Sequence, residues 1–396
     1  MRILVANDGV GTAGGVQQYL EAVVPGLQAR GHELRVLHTG VASTAAAAGA
    51  LSGVPQIGAA VLGIDEAIAE AIDWNPDLAF SHNMQNLDLE QRLIESVPVV
   101  KFMHGYFGTC LSGLKTHGFP KVSGCDRTYG SACLALYYPR RCGPLAPAVA
   151  FRQWRWMERQ RTLLPRYHRI VVASEHMRDE YVRSGGDPSR VITNPLFASK
   201  TVEPACASVA EDASVAFMGR MTTLKGGDLL IRSVHHATRV LKRAVRVTMI
   251  GDGPQRSEWE SLANSLGVAS AFTGWVDGDD RWSLLQSASV IAIPSVWPEP
   301  FGLVGLEAGV LGIPAIAVDT GGIHEWLRPG VNGVLVAAPA SSSSFGDALV
   351  RVLSDRPALE RLRTGARRVA GEMTLEHHLD RLESTFGSTP AGPRVS

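Results

Sequence analysis

The sequence predicts an α/β protein built as two doubly wound domains in succession. Three observations predict it. Short apolar runs alternate with stretches of helical periodicity. That alternation occurs twice, on either side of a small, polar, proline-containing stretch at 198–213. A chain of 396 residues is also long enough for two domains of ordinary size.

Taken in order, Ile3 to Asn7 reads as a buried strand. Val16, Tyr19, Leu20, Val23, Val24 and Leu27 recur at helical spacing, giving one apolar face that ends at Gly31. Pro25 is expected to kink this helix or force an irregular turn. Leu34 to His38 is the next strand, followed by short strands at Leu78 to Phe80, Val99 to Met103 and Ile170 to Ala173. The alanine-rich stretch 42–50 reads as a loose loop or surface helix. Beyond the linker, strands are expected at Val215 to Met218, Val245 to Ile250, Ala271-Phe272, Val290 to Pro294, Ala315 to Val318 and Gly333 to Val336. Helices are expected at Gly227 to Leu241, Gln255 to Leu266 and Arg281 to Ser287. The boundaries that follow are 1–197 for the first domain, with a cysteine-containing insert at about 105–147, and 214–375 for the second. Residues 376–396 form a C-terminal helix and a disordered tail.

Composition narrows the class. Hydrophobic residues make up 45% and charged residues 19%, as in a globular protein with large cores. The 38 basic residues balance the 38 acidic ones, so nothing global points to nucleic acid. No run approaches the roughly 20 apolar residues that span a bilayer, and Met1 leads straight into a strand, so a cytoplasmic location is expected.

Chemistry concentrates at Glu299-Pro300-Phe301-Gly302-Leu303-Val304-Gly305-Leu306-Glu307. Two carboxylates bracket the entry to a short apolar helix, Leu303 to Leu311, closed by Gly312. The first turn of a helix leaves backbone N–H groups unpaired, and these favour an anion. Acids on either side suit hydroxyl groups flanking a phosphate, which is what a sugar nucleotide offers. Arg220 and Lys225 add a forked donor and a point charge on one glycine-rich loop, a pairing that suits a diphosphate.

With Gly219-Arg220, Lys225-Gly226, Gly251 to Pro254, Gly274-Trp275, Thr320 to Gly322, Gly14-Gly15, His104 and Asn194-Pro195 in the same order, the chain resembles the family-4 retaining glycosyltransferases with their E-x7-E motif. The resemblance implies the GT-B fold, two Rossmann-like domains facing each other across a cleft. It implies transfer of a hexosyl-type sugar from a UDP- or GDP-sugar to an acceptor hydroxyl. The acceptor class stays open: a natural-product scaffold, a lipid-linked glycan or a small metabolite. By the same resemblance His104, Arg220, Lys225 and Glu299 serve the transfer. Gly15, Gly219, Asp252, Gly253, Trp275, Val276, Phe301, Gly302, Leu303, Val304 and Glu307 line the donor site, and Gly14, Val16 and Tyr106 meet the acceptor. His104 is expected near the donor sugar, and Asn194 at the hinge or simply at a turn before proline. No protein nucleophile and no catalytic metal are needed if a phosphate oxygen takes the acceptor's proton; double displacement through Glu299 is the other mechanism.

Other readings compete. Gly9 to Gly14 spells the dinucleotide fingerprint G-x-G-x-x-G, but the strand that should end in a ribose-binding acid ends in His38-Thr39-Gly40. Sugar-nucleotide epimerases, sugar phosphorylases and a non-catalytic sensor would use related folds. Cys110, Cys125, Cys133 and Cys142 cluster in the insert without a C-x2-C pair, leaving a structural zinc, free thiols or disulfides open. Phe151 to Arg169 interleaves arginines with tryptophans, which suits either a solvated helix face or weak peripheral contact with an anionic inner membrane surface.

Overall fold

The computed structural model describes residues 1–9, 15–40, 51, 53–198, 213–276 and 280–388. Gly14, most of the Gly9 to Gly14 loop, the stretch 42–50, nearly all of the linker with Cys206, and the tail after Ser388 lie outside the described residues. The chain divides into two compact units.

The first unit comprises 1–115, 126–199 and 375–396. Its elements begin β1 (Arg2–Asn7), α1 (Gly15–Ala29), β2 (Glu33–His38), β3 (Gln56–Gly58), α2 (Ala59–Leu62), α3 (Ile64–Asp73), β4 (Leu78–Ser81), α4 (Leu87–Ser96) and β5 (Val99–Met103). A ribbon of β6 (Thr116–His117) and β7 (Ser123–Gly124) follows and belongs to the second unit. The first unit resumes with α5 (Ser131–Leu136), α6 (Pro147–Leu163), β8 (Arg169–Val172), α7 (Glu175–Arg183) and β9 (Val191–Thr193). Its seven strands form one parallel sheet, β3-β2-β1-β4-β5-β8-β9. Ile3 to Ala6 are buried on both faces, as central parallel strands between helix layers must be.

Helix α1 is continuous from Gly15 to Ala29 with Pro25 inside it, so no irregular turn interrupts it. Pro25 is exposed, while Leu20, Val23, Val24 and Leu27 hold the helix to the core on both sides of it.

The second unit comprises 116–125 and 200–374. It holds β10 (Ser214–Met218), α8 (Gly227–Leu241), β11 (Arg246–Ile250), α9 (Arg256–Ser265), β12 (Ser270–Gly274), α10 (Asp280–Gln286), β13 (Val290–Ile293), α11 (Leu303–Val310), β14 (Ala315–Val318), β15 (Gly333–Val336), α12 (Ser342–Ser354) and α13 (Arg356–Glu372). The sheet is again parallel, in the order β12-β11-β10-β13-β14-β15. One core gathers Phe217, Trp259, Phe345 and the aliphatic residues of α8, α12 and α13.

The last helix, α14 (Leu375–Gly387), packs in the first unit. Its stripe of Leu375, Leu379, Leu382 and Phe386 meets Tyr19, Leu20 and Phe80, and Arg30 is ringed by Glu376, Asp380 and Glu383 at 2.5–2.7 Å. Asn194, buried just after β9, donates through its side chain to the His378 carbonyl at 3.1 Å and so fastens this helix to the sheet.

Candidate functional site

Open parallel sheets bind ligands at the carboxyl ends of strands, where the strand order reverses. In the second unit that point lies between β10 and β13. The chain leaves β10 into Gly219-Arg220 and leaves β13 into Pro294 to Glu299, so the sheet itself brings the two predicted loops together.

Lys225 donates to Oε1 of Glu299 at 2.7 Å, and the Ser295 hydroxyl donates to the same oxygen. Glu299 is only 5% exposed, and among the described residues its Oε2 has no protein partner. The Lys225 ammonium also lies 5.0 Å from the Trp297 ring centre. Gly226 sets this geometry: its φ is +67°, and a Cβ there would fall 2.1 Å from the Pro294 carbonyl oxygen. Replacing Gly226 with alanine is therefore expected to cost about 2–4 kcal/mol of stability, read as a lowered unfolding midpoint in urea; an unchanged midpoint would mean that the two loops are not in contact. Arg220 is exposed and, among the described residues, makes no ion pair.

Helix α11 starts at Gly302, which caps it in the left-handed conformation, and Leu303 and Val304 form the first turn. The segment before it is pinned from both sides. The Gly322 N–H donates to the Glu299 carbonyl at 2.6 Å, and the Trp326 indole N–H donates to the Phe301 carbonyl at 2.8 Å. Phe301, expected at the donor, has a buried side chain, so only its backbone is placed for that role. Glu307 lies about one turn into α11, 4% exposed, with Arg281 at 3.4 Å. The Gly251 to Gly253 loop joins the same end of the sheet, since the Met221 N–H donates to the Asp252 carbonyl at 2.7 Å. Trp275 follows β12 and is 64% exposed, with Val276 beside it. Ser295, Arg281 and Trp326 went unnoticed in the sequence. Each acts through a contact that spacing does not reveal.

In the first unit the strand order reverses between β1 and β4. Their neighbour β5 ends at His104, whose Nε2 lies 3.1 Å from Nδ1 of His82, just past β4. The His104 ring stacks on Phe102 and meets Tyr19 edge-on. The loop after His104 is clamped by the Tyr181 hydroxyl, which reaches the carbonyls of Gly105 and Phe107 at 2.7 and 2.8 Å. His378 from α14 completes the group. Its Nδ1–H donates to the Pro195 carbonyl at 2.8 Å, so its Nε2 must accept from the Tyr19 hydroxyl, also at 2.8 Å. Gly15 and Val16 begin α1, Gly15 exposed and Val16 packed on the core.

These rings stay neutral. Burial, then the charges of Lys101 and His378, pushes the His104 imidazole down to about 3. Burial pushes His378 down to about 4. The sign for stability follows from comparing the two states. Unfolded rings titrate near 6.5, so above that pH both states are neutral and the contribution is complete. As pH falls below 6.5 the unfolded chain takes up protons that the folded chain refuses. Stability then declines until the folded values near 4 and 3 are reached. At pH 5 the loss is about 2 kcal/mol per ring, measurable by urea unfolding at pH 7 and pH 5. Equal stabilities at the two pH values would show that the rings are solvated.

Two known family descriptions together match most of this chain. Residues 13–196 match Glycosyltransferase Family 4, and residues 204–369 match Glycosyl transferases group 1. The chain belongs to the family-4 glycosyltransferases. Among curated relatives, an uncharacterized glycosyltransferase of Methanocaldococcus jannaschii is 38% identical over 37% of this chain and 37% of its own length. A D-inositol 3-phosphate glycosyltransferase of Salinispora arenicola is 34% identical over 46% of this chain and 43% of its own. The chain thus spans about two fifths of the length of these relatives. Among solved structures, HepE of Anabaena in complex with UDP superposes with a TM-score of 0.71 at 18% identity, covering 98% of this chain and 100% of that one. Sucrose-phosphate synthase of Thermosynechococcus elongatus gives 0.70 at 17% identity, covering 98% of both. Likeness at such identity is one of fold, and the fold is GT-B.

Against the family pattern two expectations need correction. Tyr106, expected at the acceptor, is fully buried, with its ring against His176 and its carbonyl holding Thr109. The residue that follows a buried strand here turns into the core. The four insert cysteines form no metal site: among the described residues no three metal-ligating side chains converge. No disulfide joins them, and the thiols of Cys110, Cys133 and Cys142 meet local oxygens on Ser112, Thr128 and Leu136. Cys125 falls in the second unit.

Proposed function

We propose that this family-4 glycosyltransferase moves a sugar from a nucleoside-diphosphate sugar to an acceptor hydroxyl with retention of anomeric configuration. The acceptor oxygen bonds to the anomeric carbon as the bond to the diphosphate oxygen breaks. The acceptor's proton passes to the departing phosphate on the same face. Arg220, Lys225 and the N–H groups at the start of α11 stabilise the leaving charge, and this reading needs no metal ion. Gly219, Asp252, Gly253, Trp275 and Val276 belong to the donor site, with Glu307 on the ribose. His104, Gly15 and Val16 are assigned to the sugar and the acceptor. His104 acts there as a neutral hydrogen-bonding group.

One observation carries the reading. Glu299 is buried at the start of an anion-favouring helix, with Lys225 and Ser295 on one oxygen and the other oxygen open. That arrangement offers a hydroxyl acceptor beside a phosphate cation.

Thermal-shift binding of UDP, GDP, dTDP, ADP and NAD tests the reading, with UDP first because HepE was solved with it. Stabilisation by one nucleoside diphosphate is expected, weakened in Arg220→Ala and Glu307→Gln. Stabilisation by NAD alone would overturn it.

A further inference from the structure

We propose that the segment 127–157 of the first unit is a docking surface for an anionic lipid bilayer. Seven large hydrophobic side chains of that unit are exposed among its described residues: Met1, Val61, Leu114, Leu134, Tyr138, Leu145 and Phe151. Four of them, from Leu134 to Phe151, are 46–55% exposed and fall within this one segment.

The backbone that carries them is tied to one buried residue, Tyr137. Leu134 sits on α5, its carbonyl accepting the Tyr137 N–H. The Tyr138 ring lies 5.3 Å from that of Tyr137. The Tyr137 hydroxyl donates to the Pro144 carbonyl at 3.0 Å, which fixes Leu145 next to it. Tyr137 also shares a small core with Ala150, whose neighbour is Phe151. Exposed apolar side chains concentrated in one anchored segment mark an interaction site.

Charge names the occupant. Between Asp126 and Glu158 the chain has no acidic residue, and it carries Arg127, Arg140, Arg141, Arg152 and Arg155. The second half of α6 and its continuation behave differently. There Arg159 pairs with Asp88, Arg161 with Glu158 and Arg166 with Glu95. Among the described residues Arg127, Arg140, Arg152 and Arg155 make no such pair. Unneutralised arginines interleaved with exposed aromatic and leucine side chains match the headgroup boundary of an acidic bilayer, which takes both at once. The sequence alone drew attention to Phe151 to Arg169; the ion pairs move the surface towards the N-terminal half of α6 and the segment before it. No helix among the described residues is long and apolar enough to cross a membrane, so the contact is peripheral.

Co-sedimentation of the full chain with phosphatidylcholine vesicles, and with vesicles containing about 30% phosphatidylglycerol, tests this. At least about tenfold stronger partition to the anionic vesicles is expected, and it should fall as salt rises. Two separate variants should each lose it: Tyr138→Ser with Leu145→Ser and Phe151→Ser, and Arg140→Ser with Arg152→Ser and Arg155→Ser. Arg159→Ser with Arg161→Ser should keep it. Only variants whose melting matches the parent are scored; the two losing sets alter different side chains, so one misfolded set leaves the other decisive. Equal partition to neutral vesicles, binding to neither, or loss only in the Arg159 and Arg161 variant would overturn the proposal. Capture of soluble polyglutamate without vesicle binding would overturn it too, by making the surface one for an acidic protein.

Discussion

Lys225→Ala is expected to lower kcat/KM by about 10²–10³, the scale seen when one preorganised donor to a developing anion is removed. The ammonium does two jobs that the variant separates. It neutralises Glu299, which is nearly buried, and it stands at the loop where the leaving diphosphate would gather charge. If neutralising Glu299 were its whole task, Lys225→Ala with Glu299→Gln would regain stability and be no slower than Glu299→Gln alone. If it meets the phosphate, the double variant regains stability and stays slower than Glu299→Gln alone. Lys225→Arg should recover little, because a planar fork on a longer stem cannot sit between Glu299 and the Trp297 face as a point charge does. Donor affinity in the single variant should weaken less than turnover, since the charge on the diphosphate grows as the glycosidic bond breaks. A rise in KM alone, with kcat intact, would reduce Lys225 to a ground-state binder.

Much of the fold was legible because its strands are buried on both faces. Runs such as Ile3-Leu4-Val5-Ala6 and Val290 to Ile293 have no solvent side to interrupt them, and the expected strands stand at those places. The strands not anticipated are the three-residue β3 and β9 and the two-residue β6 and β7, too short to show a period. Helices α4 and α7 were also passed over, although each has a readable start. Asn86 accepts from the backbone of Asp88 and Leu89, and Ser174 from that of Met177. The return of α14 to the first unit rests on packing against α1 across most of the chain's length, which no local pattern contains.

The site was legible where backbone dictates residue type. Gly226 and Gly302 hold positive φ, and each lies where the sequence pointed. Side-chain partnerships were not legible. Lys225 and Glu299 stand 74 positions apart, and their spacing says nothing of a 2.7 Å contact. Arg281 looked like the opening of an ordinary helix, yet it faces the buried Glu307. The cysteine-rich insert misled for the opposite reason. Composition suggested convergence, but thiols on separate turns each settle beside the nearest carbonyl or hydroxyl.

Lys101→Met is expected to destabilise the first unit by about 3–5 kcal/mol, the cost of leaving a buried charge without its partner. Lys101 lies in the central strand β5 with its side chain 4% exposed. Its ammonium meets Glu90 of α4 at 2.9 Å and the Ser81 hydroxyl at 3.0 Å, and Ser81 in turn donates to both Glu90 oxygens. Removing the lysine strands a carboxylate that is 0% exposed. Lys101→Met with Glu90→Leu removes both charges at similar volume and should recover most of the loss or exceed the parent. Urea unfolding of the three proteins checks this, and equal destabilisation by the single and double variants would sink it. The pair also bears on the histidines at the strand ends. The charge of Lys101 is one cause that holds His104 and His82 below their ordinary values. In the double variant, which keeps the packing, the His104 titration followed by NMR should therefore move upward. It should stay well under 6.5, because burial is the larger cause. An unmoved titration would mean that water screens Lys101 from the ring, and that burial alone keeps His104 neutral.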